Sequence, residues 1–284
     1  MTLDPRRNAY RADLADAELR GEVEAARFVS GEDGQIIVSA APLHRLPDES
    51  GGIDTQALYG EQLRIFERNG NWAWVQLSDD GYVGYMPLSC VGVRNISASH
   101  HVRALRTFIY PEASMKLPTG RYLGMGCRVQ VTGQNGDFFE IAGGGFIYTR
   151  HLSAQNEAEP DFVAVAERFL ETPYLWGGKS SLGIDCSGLV QLSLKMSGLN
   201  APRDTYMQEA EFGQAVEIAP DLSGLQRGDL IFWKGHVAIM LDTTTMIHAN
   251  GWSMNVLVEP LAVAERRIRE TSDSRITSIR RLVR

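Results

Sequence analysis

Cysteine is scarce in this 284-residue chain: Cys90, Cys127 and Cys186 are far apart and form no C-x-x-C pair. An odd, dispersed set argues against a disulfide framework or a zinc knuckle, and free thiols suit a reducing compartment. Positive charge is also in short supply. Lys and Arg number 28 against 35 Asp and Glu, for a net charge of −7, whereas affinity for nucleic acid or anionic membrane needs clustered cations. A long apolar run is missing at the N-terminus, where "MTLDPRRNAYRADLADAELRGEVEAARF" carries charges throughout. Neither a signal peptide nor a membrane helix fits that stretch, and the expectation is a cytoplasmic protein. The Arg-rich stretch from Arg266 to Arg284 is the exception in charge; its "RITSIRRL" alternation predicts a closing strand with a solvated face.

With 44% hydrophobic and 22% charged residues, the chain has an ordinary globular composition and a length that predicts two or three domains. Residues 9–29 space Ala, Leu and Val at helical intervals, so 1–30 is expected to be a short helical segment. From Ile36 the character becomes β. "GEQLRIFERNGNWAWVQL" alternates on both sides of Asn69-Gly70, a dipeptide that favours a hairpin turn, and "GCRVQVTGQNGDFFEI" repeats the pattern. Gly60, Gly70 and Trp72 recur as Gly126, Gly136 and Phe138 at an offset of 66 residues. Two tandem copies of short strands with Gly-rich turns predict two small barrels, over 31–95 and 96–153. After a polar linker, 154–284 places helices first ("DFVAVAERFLE", then the segment from Cys186 to Gly198) and antiparallel strands afterwards. That order predicts an α+β domain.

Cys186 stands at the start of its helix. Unpaired N–H groups and the positive end of the helix dipole there stabilise a thiolate and could stabilise an oxyanion. A thiolate nucleophile needs a base, and the base an orienting partner. His236 opens "HVAIM" and His248 follows twelve residues on in "MIHAN", so a hairpin could join the two rings. Cys90 and Cys127 read as small buried residues, His44, His100, His101 and His151 as surface or packing residues, and Trp233 and Trp252 as packing. A zinc site from Cys186, His236 and His248 is the competing chemistry, weakened by the lack of an H-E-x-x-H spacing. No metal or cofactor is expected.

"YLWGGKSSLGIDCSGLV", "APRDTYMQ", "QRGDLIFW", "GHVAIML" and "MIHAN", in this order, resemble the NlpC/P60 family of papain-like cysteine peptidases over residues 160–284. The two barrels resemble bacterial SH3-like domains, an arrangement similar to that of cytoplasmic γ-D-glutamyl-L-diamino-acid endopeptidases, the dipeptidyl-peptidase VI subgroup. The resemblance implies Cys186 as nucleophile, His236 as base, His248 as its orienter and Tyr174 near the oxyanion. It also implies a substrate pocket lined by Asp185, Ser187, Trp176, Asp204 and Thr205, the last standing where the subgroup usually has Ser. From the first barrel it implies Glu61 and Tyr82, whose ordinary alternatives are a solvated charge and a barrel aromatic. Arg203 reads equally as an ion-pair partner and as a substrate ligand.

The implied reaction is hydrolysis of the γ-D-Glu–diamino acid bond in short murein peptides with a free N-terminal L-Ala, for wall-peptide recycling. The murein peptide is then the only partner expected, with no nucleic acid or membrane. An exported hydrolase of intact wall and an inactive wall-peptide-binding protein are the alternatives.

Overall fold

The computed structural model describes residues 3–92 and 96–282. Residues 93–95, expected at the end of the first barrel, and 283–284, the last of the Arg-rich stretch, lie outside the described residues. The chain divides into two compact units, Met1–Glu157 and Ala158–Arg284.

In the first unit a seven-stranded sheet runs in the order Ile53–Leu58, Ala40–His44, Val83–Pro87, Trp72–Leu77, Gln62–Asn69, Glu32–Ile36 and Val91–Gly92. Alternation along these strands turns Leu43, Leu58, Leu63, Val75, Leu77 and Met86 into a core with almost no exposure. The following 55 or so residues form three smaller sheets with the same local design. In both copies Asn69↔Trp72 and Asn135↔Phe138 close a two-residue hairpin loop, with Gly70 and Gly136 at φ of 56° and 55°. Each copy also ends in a strand, a single 3-10 turn and another short strand, the turns being Leu88–Cys90 and Thr149–His151. The offset repeat in the sequence is therefore a repeat in structure.

The two copies meet where Arg128 N–H donates to the Tyr59 carbonyl at 2.8 Å and the Arg128 guanidinium grips Asp79 through two bonds of 2.9 Å.

The N-terminal stretch departs from expectation. Residues 9–29 hold no α-helix; they contain a 3-10 turn at Ala17–Leu19 and a short parallel pair, Ala15–Asp16 with Phe28–Val29. Ala9 and Leu14 are buried against Phe66 and Trp74 of the first barrel, Arg11 pairs with Glu67 at 2.8 Å and Arg64 pairs with Asp16 at 3.0 Å. Contacts with the barrel outweigh the weak preference of a short isolated helix.

The second unit is built on a six-stranded antiparallel sheet: Gln214–Val216, Ile276–Arg281, Leu230–Trp233, His236–Met240, Thr245–Asn250 and Asn255–Pro260. Helix α1 spans Phe162–Glu167 with Asp161 as its cap, shorter than the expected helix over "DFVAVAERFLE". Helix α2 spans Cys186–Met196 and α3 spans Thr205–Glu211. The Arg-rich stretch is a strand only over Ile276–Arg281, and its first part belongs to a fourth helix, α4, Leu261–Ser272. Leu261, Ala264 and Ile268 recur at helical spacing and pack on the sheet, with Arg266 exposed and Arg267 partly buried beside that face.

An added Cβ at Gly60 would lie 2.2 Å from the Arg128 carbonyl oxygen at a φ of +79°, whereas at Gly70 it would meet nothing. Gly70→Ala should thus cost only the backbone strain of about 1–2 kcal/mol, and Gly60→Ala clearly more. Urea unfolding of the two variants checks this; equal midpoints would contradict it.

Candidate active site

Local chemistry around Asp185 sets the position of the cysteine. Asp185 is the N-cap of α2, and its Oδ1 accepts from Gly188 N–H at 2.7 Å. The same carboxylate accepts from Gly177 N–H at 2.9 Å, from Arg203 through Nη1 at 3.0 Å and Nη2 at 2.7 Å, and from the Ser187 hydroxyl at 3.3 Å. Arg203, only 1% exposed, donates further to Ser187 Oγ at 2.8 Å and to the Gly178 carbonyl. These donors fill the acceptor capacity of a carboxylate. Asp185 and Ser187, expected to line the substrate pocket, belong to the cap and ion-pair network that holds the nucleophile loop, with Arg203 as its ion-pair partner. Gly188 fits this packing because a Cβ there would lie 2.3 Å from the Gly178 carbonyl oxygen.

Cys186 is the first residue of α2 and is buried. Burial pushes its thiol up to about 11, with Asp185 adding to the shift; the Val237 N–H, the Thr205 hydroxyl and Arg203 act in the opposite sense. Burial also drives His236 down to about 3, reinforced by His248 and Arg267. Burial therefore works against the helix-stabilised thiolate that the sequence suggests, and it disfavours the charged form of both groups.

His236 and His248 do meet. The strands His236–Met240 and Thr245–Asn250 pair Ile239 with Ile247, which puts the two histidines diagonally on one face. His236 Nε2 lies 2.7 Å from His248 Nδ1. Thr205 Oγ1 is 4.0 Å from Cys186 Sγ, so the hydroxyl at this position stands beside the nucleophile. Tyr174 is half-buried; burial, then the charges of Cys186 and Asp185, push its phenol up, and it stays a donor. Trp176 is 68% exposed, available to a ligand, and Asp204 is the residue before α3.

In the N-terminal unit, Glu61 is fully buried rather than a solvated charge, its Oε2 accepting from Leu58 N–H at 3.0 Å. Tyr82 is an interior barrel aromatic, with Arg6 donating to its hydroxyl at 3.3 Å.

Two residues beyond the expected set extend the histidine pair. His248 Nε2 lies 2.8 Å from Glu259 Oε1, and Arg267 on α4 grips both Glu259 oxygens at 2.6 Å. Burial would raise Glu259, but the bonds from Arg267 and His248 prevail and hold it down at about 2. The residue alternation of "NVLVEP" was the one available signal for Glu259; Arg267 was hidden in a stretch read as strand. Trp252, read as packing, is 70% exposed and lies over the Arg267 guanidinium at 4.6 Å, while Trp233 is buried as expected. Among the described residues, no group of three or more His, Cys, Asp or Glu side chains is placed to hold a metal ion.

The depressed His236 fixes a pH dependence. Below the ordinary histidine value of 6.5 the unfolded chain takes up a proton that the folded site refuses, so this group destabilises the fold as pH falls toward its folded value. His236→Gln should therefore lose less stability than the wild type between pH 6.5 and 4.5, values that mark the ordinary His and Glu ranges. Unfolding titrations across that window check it, and parallel curves would contradict it.

Comparison with known proteins agrees with this geometry. Residues 43–90 match the bacterial dipeptidyl-peptidase Sh3 domain and residues 171–270 match the NlpC/P60 family. The chain is 25% identical over 240 residues to a gamma-D-glutamyl-L-lysine dipeptidyl-peptidase of Bacillus cereus, covering 74% of this chain and 71% of that one. It is 26% identical over 245 residues to a protein of the same name from Bacillus subtilis, covering 76% and 79%. A dipeptidyl-peptidase 6 of Lysinibacillus sphaericus is 34% identical over 129 residues, 45% of this chain and 46% of that one. A crystal structure of an NlpC/P60 family protein from Bacillus cereus shares the fold, with a TM-score of 0.73 at 22% identity over 89% of this chain and all of that one. With its cysteine at a helix start and its paired histidines on the adjoining sheet, this chain carries an NlpC/P60 cysteine-peptidase domain behind a bacterial SH3 domain.

Proposed function

We propose that the protein hydrolyses the bond between γ-D-Glu and an L-diamino acid in short murein peptides with a free N-terminal L-Ala, and that it does so in the cytoplasm on wall peptides being recycled. The observation that carries the reading is the His236–His248 hydrogen bond of 2.7 Å on a sheet whose Val237 N–H acts on the Cys186 thiol. The names of the relatives from Bacillus cereus and Bacillus subtilis support the γ-D-glutamyl bond as the target.

His236 Nε2 is committed to His248, which leaves Nδ1 to serve the thiol. In the proposed reaction Nδ1 takes the Cys186 proton as sulfur attacks the γ-carbonyl carbon of D-Glu. The developing oxyanion is met by first-turn N–H groups of α2, which lack intrahelical partners, and by the Tyr174 hydroxyl. The imidazolium returns the proton to the departing amine of the diamino acid, leaving a thioester on Cys186. Water then gives a proton to His236 and its oxygen to the acyl carbon, releasing L-Ala-D-Glu and restoring the thiol. Substrate binding expels water and brings the attacking and accepting atoms together, which favours transfer of the thiol proton to the imidazole as the sulfur attacks.

Incubation with L-Ala-γ-D-Glu-L-Lys, the meso-diaminopimelate analogue, their N-acetylated forms and an intact muropeptide, followed by mass spectrometry, tests the reading. L-Ala-D-Glu is the expected product from the free peptides, and Cys186→Ala should lose at least about 10²–10⁴-fold of the rate. Faster cleavage of the muropeptide than of the free peptides would favour a hydrolase of intact wall instead, and retained turnover in Cys186→Ala would overturn the mechanism.

A further inference from the structure

The Arg267–Glu259–His248–His236 chain does more than bury charge. An ionised carboxylate can only accept hydrogen bonds. With Arg267 on both of its oxygens, Glu259 requires a proton on His248 Nε2, 2.8 Å away. With its single ring proton on Nε2, His248 keeps a lone pair on Nδ1, and the 2.7 Å contact is then donated by His236 Nε2–H. His236 is then left with its lone pair on Nδ1, the nitrogen that the thiol requires.

A competitor is built into the site. Asn250 Nδ2 approaches His248 Nε2 at 3.2 Å, and its Oδ1 is already occupied by the Trp252 and Ser253 N–H groups and the Ser253 hydroxyl. The amide is therefore oriented to donate. Were it the dominant partner, His248 would carry its proton on Nδ1, His236 would accept on Nε2, and His236 Nδ1 would present a proton to the thiol in place of a lone pair. The closer and charged contact from Glu259 decides between these two arrangements.

We infer that Glu259, clamped by Arg267, is a positioning residue that sets the tautomers of both histidines and so gives His236 Nδ1 the lone pair the reaction needs. This rests on the peptidase reading for its consequence in catalysis, but the tautomers are a property of the resting protein. Trp252, lying over Arg267, covers the outer face of the clamp.

Nitrogen-detected imidazole NMR on the full chain without substrate reads the tautomers directly. Wild type should show both His236 and His248 protonated on Nε2, and Glu259→Leu should move the His248 proton to Nδ1 and the His236 proton with it. Glu259→Leu should also lower kcat by about 10–100-fold, the range for residues that orient a reacting ligand from behind, with KM nearly unchanged. Glu259→Gln, whose amide oxygen can still accept, should restore part of the rate.

Arg267→Met, which removes the clamp and leaves Glu259 in place, should move both readouts in the same direction by less, and it carries the test if the leucine variant does not fold. Unchanged tautomers in Glu259→Leu or, if that variant does not fold, in Arg267→Met would overturn the inference, even if the rate fell. Shifted tautomers in a protein whose wild type cleaves none of the peptides would leave the inference standing and overturn the peptidase reading.

Discussion

The buried ion pair between Asp185 and Arg203 is the interaction on which the site is built. Its Nη2–Oδ2 contact is 2.7 Å with both side chains largely out of solvent. A buried charge without a partner is expensive, so either residue alone would be a liability; together, with Ser187, Gly177 and Gly188 completing the network, they tie three backbone segments to one carboxylate. The start of α2 is among those segments. Gln208 adds a neutral brace, its amide donating to the Ser187 and Pro202 carbonyls from α3. Cys186 is therefore placed by its neighbour in sequence, and α3 is held so that Thr205 stands beside the sulfur.

The sheet supplies the other half of the chemistry, and its electrostatics oppose those of the helix. Burial disfavours the charged form of both thiol and imidazole, and a thiol held back from ionising reacts less readily, because thiolate, not thiol, is the nucleophile. The cost is that proton transfer must be organised rather than pre-installed. A hydrogen-bonded series from Arg267 inward meets that need, with a charge at its outer end and a neutral ring at the reacting end. The arrangement separates the group that carries charge from the group that moves a proton.

Much of the site was legible because its signals are local. A Cys-Ser-Gly at the head of an apolar helical pattern marks a helix start as well as a catalytic motif, and the twelve-residue spacing of His236 and His248 fits a hairpin whose diagonal joins them. The doubled Asn-Gly turns showed the internal repeat for the same reason. What was not legible depends on register and packing. Glu259 reaches His248 only because Asn255–Pro260 pairs with Thr245–Asn250 in one register, with His248 opposite Leu257 and Glu259 two residues further on the same face. Arg267 follows from a helix whose apolar residues were outnumbered by charges. The N-terminal stretch had a helical pattern, yet its apolar residues are used by the first barrel, and the acceptor role of Asp185 could not be known before Arg203 was found against it.

The central claim is that Cys186 carries the acyl group between two half-reactions. Rapid quenching of the protein during turnover of L-Ala-γ-D-Glu-L-Lys, followed by intact-mass measurement and peptide mapping, tests it most directly. The account predicts a transient L-Ala-D-Glu adduct on the peptide containing Cys186, appearing as the diamino acid is released and decaying as L-Ala-D-Glu forms. Turnover with no adduct at any quench time, under conditions in which thioester hydrolysis is slowed, or an adduct on a residue other than Cys186, would contradict it.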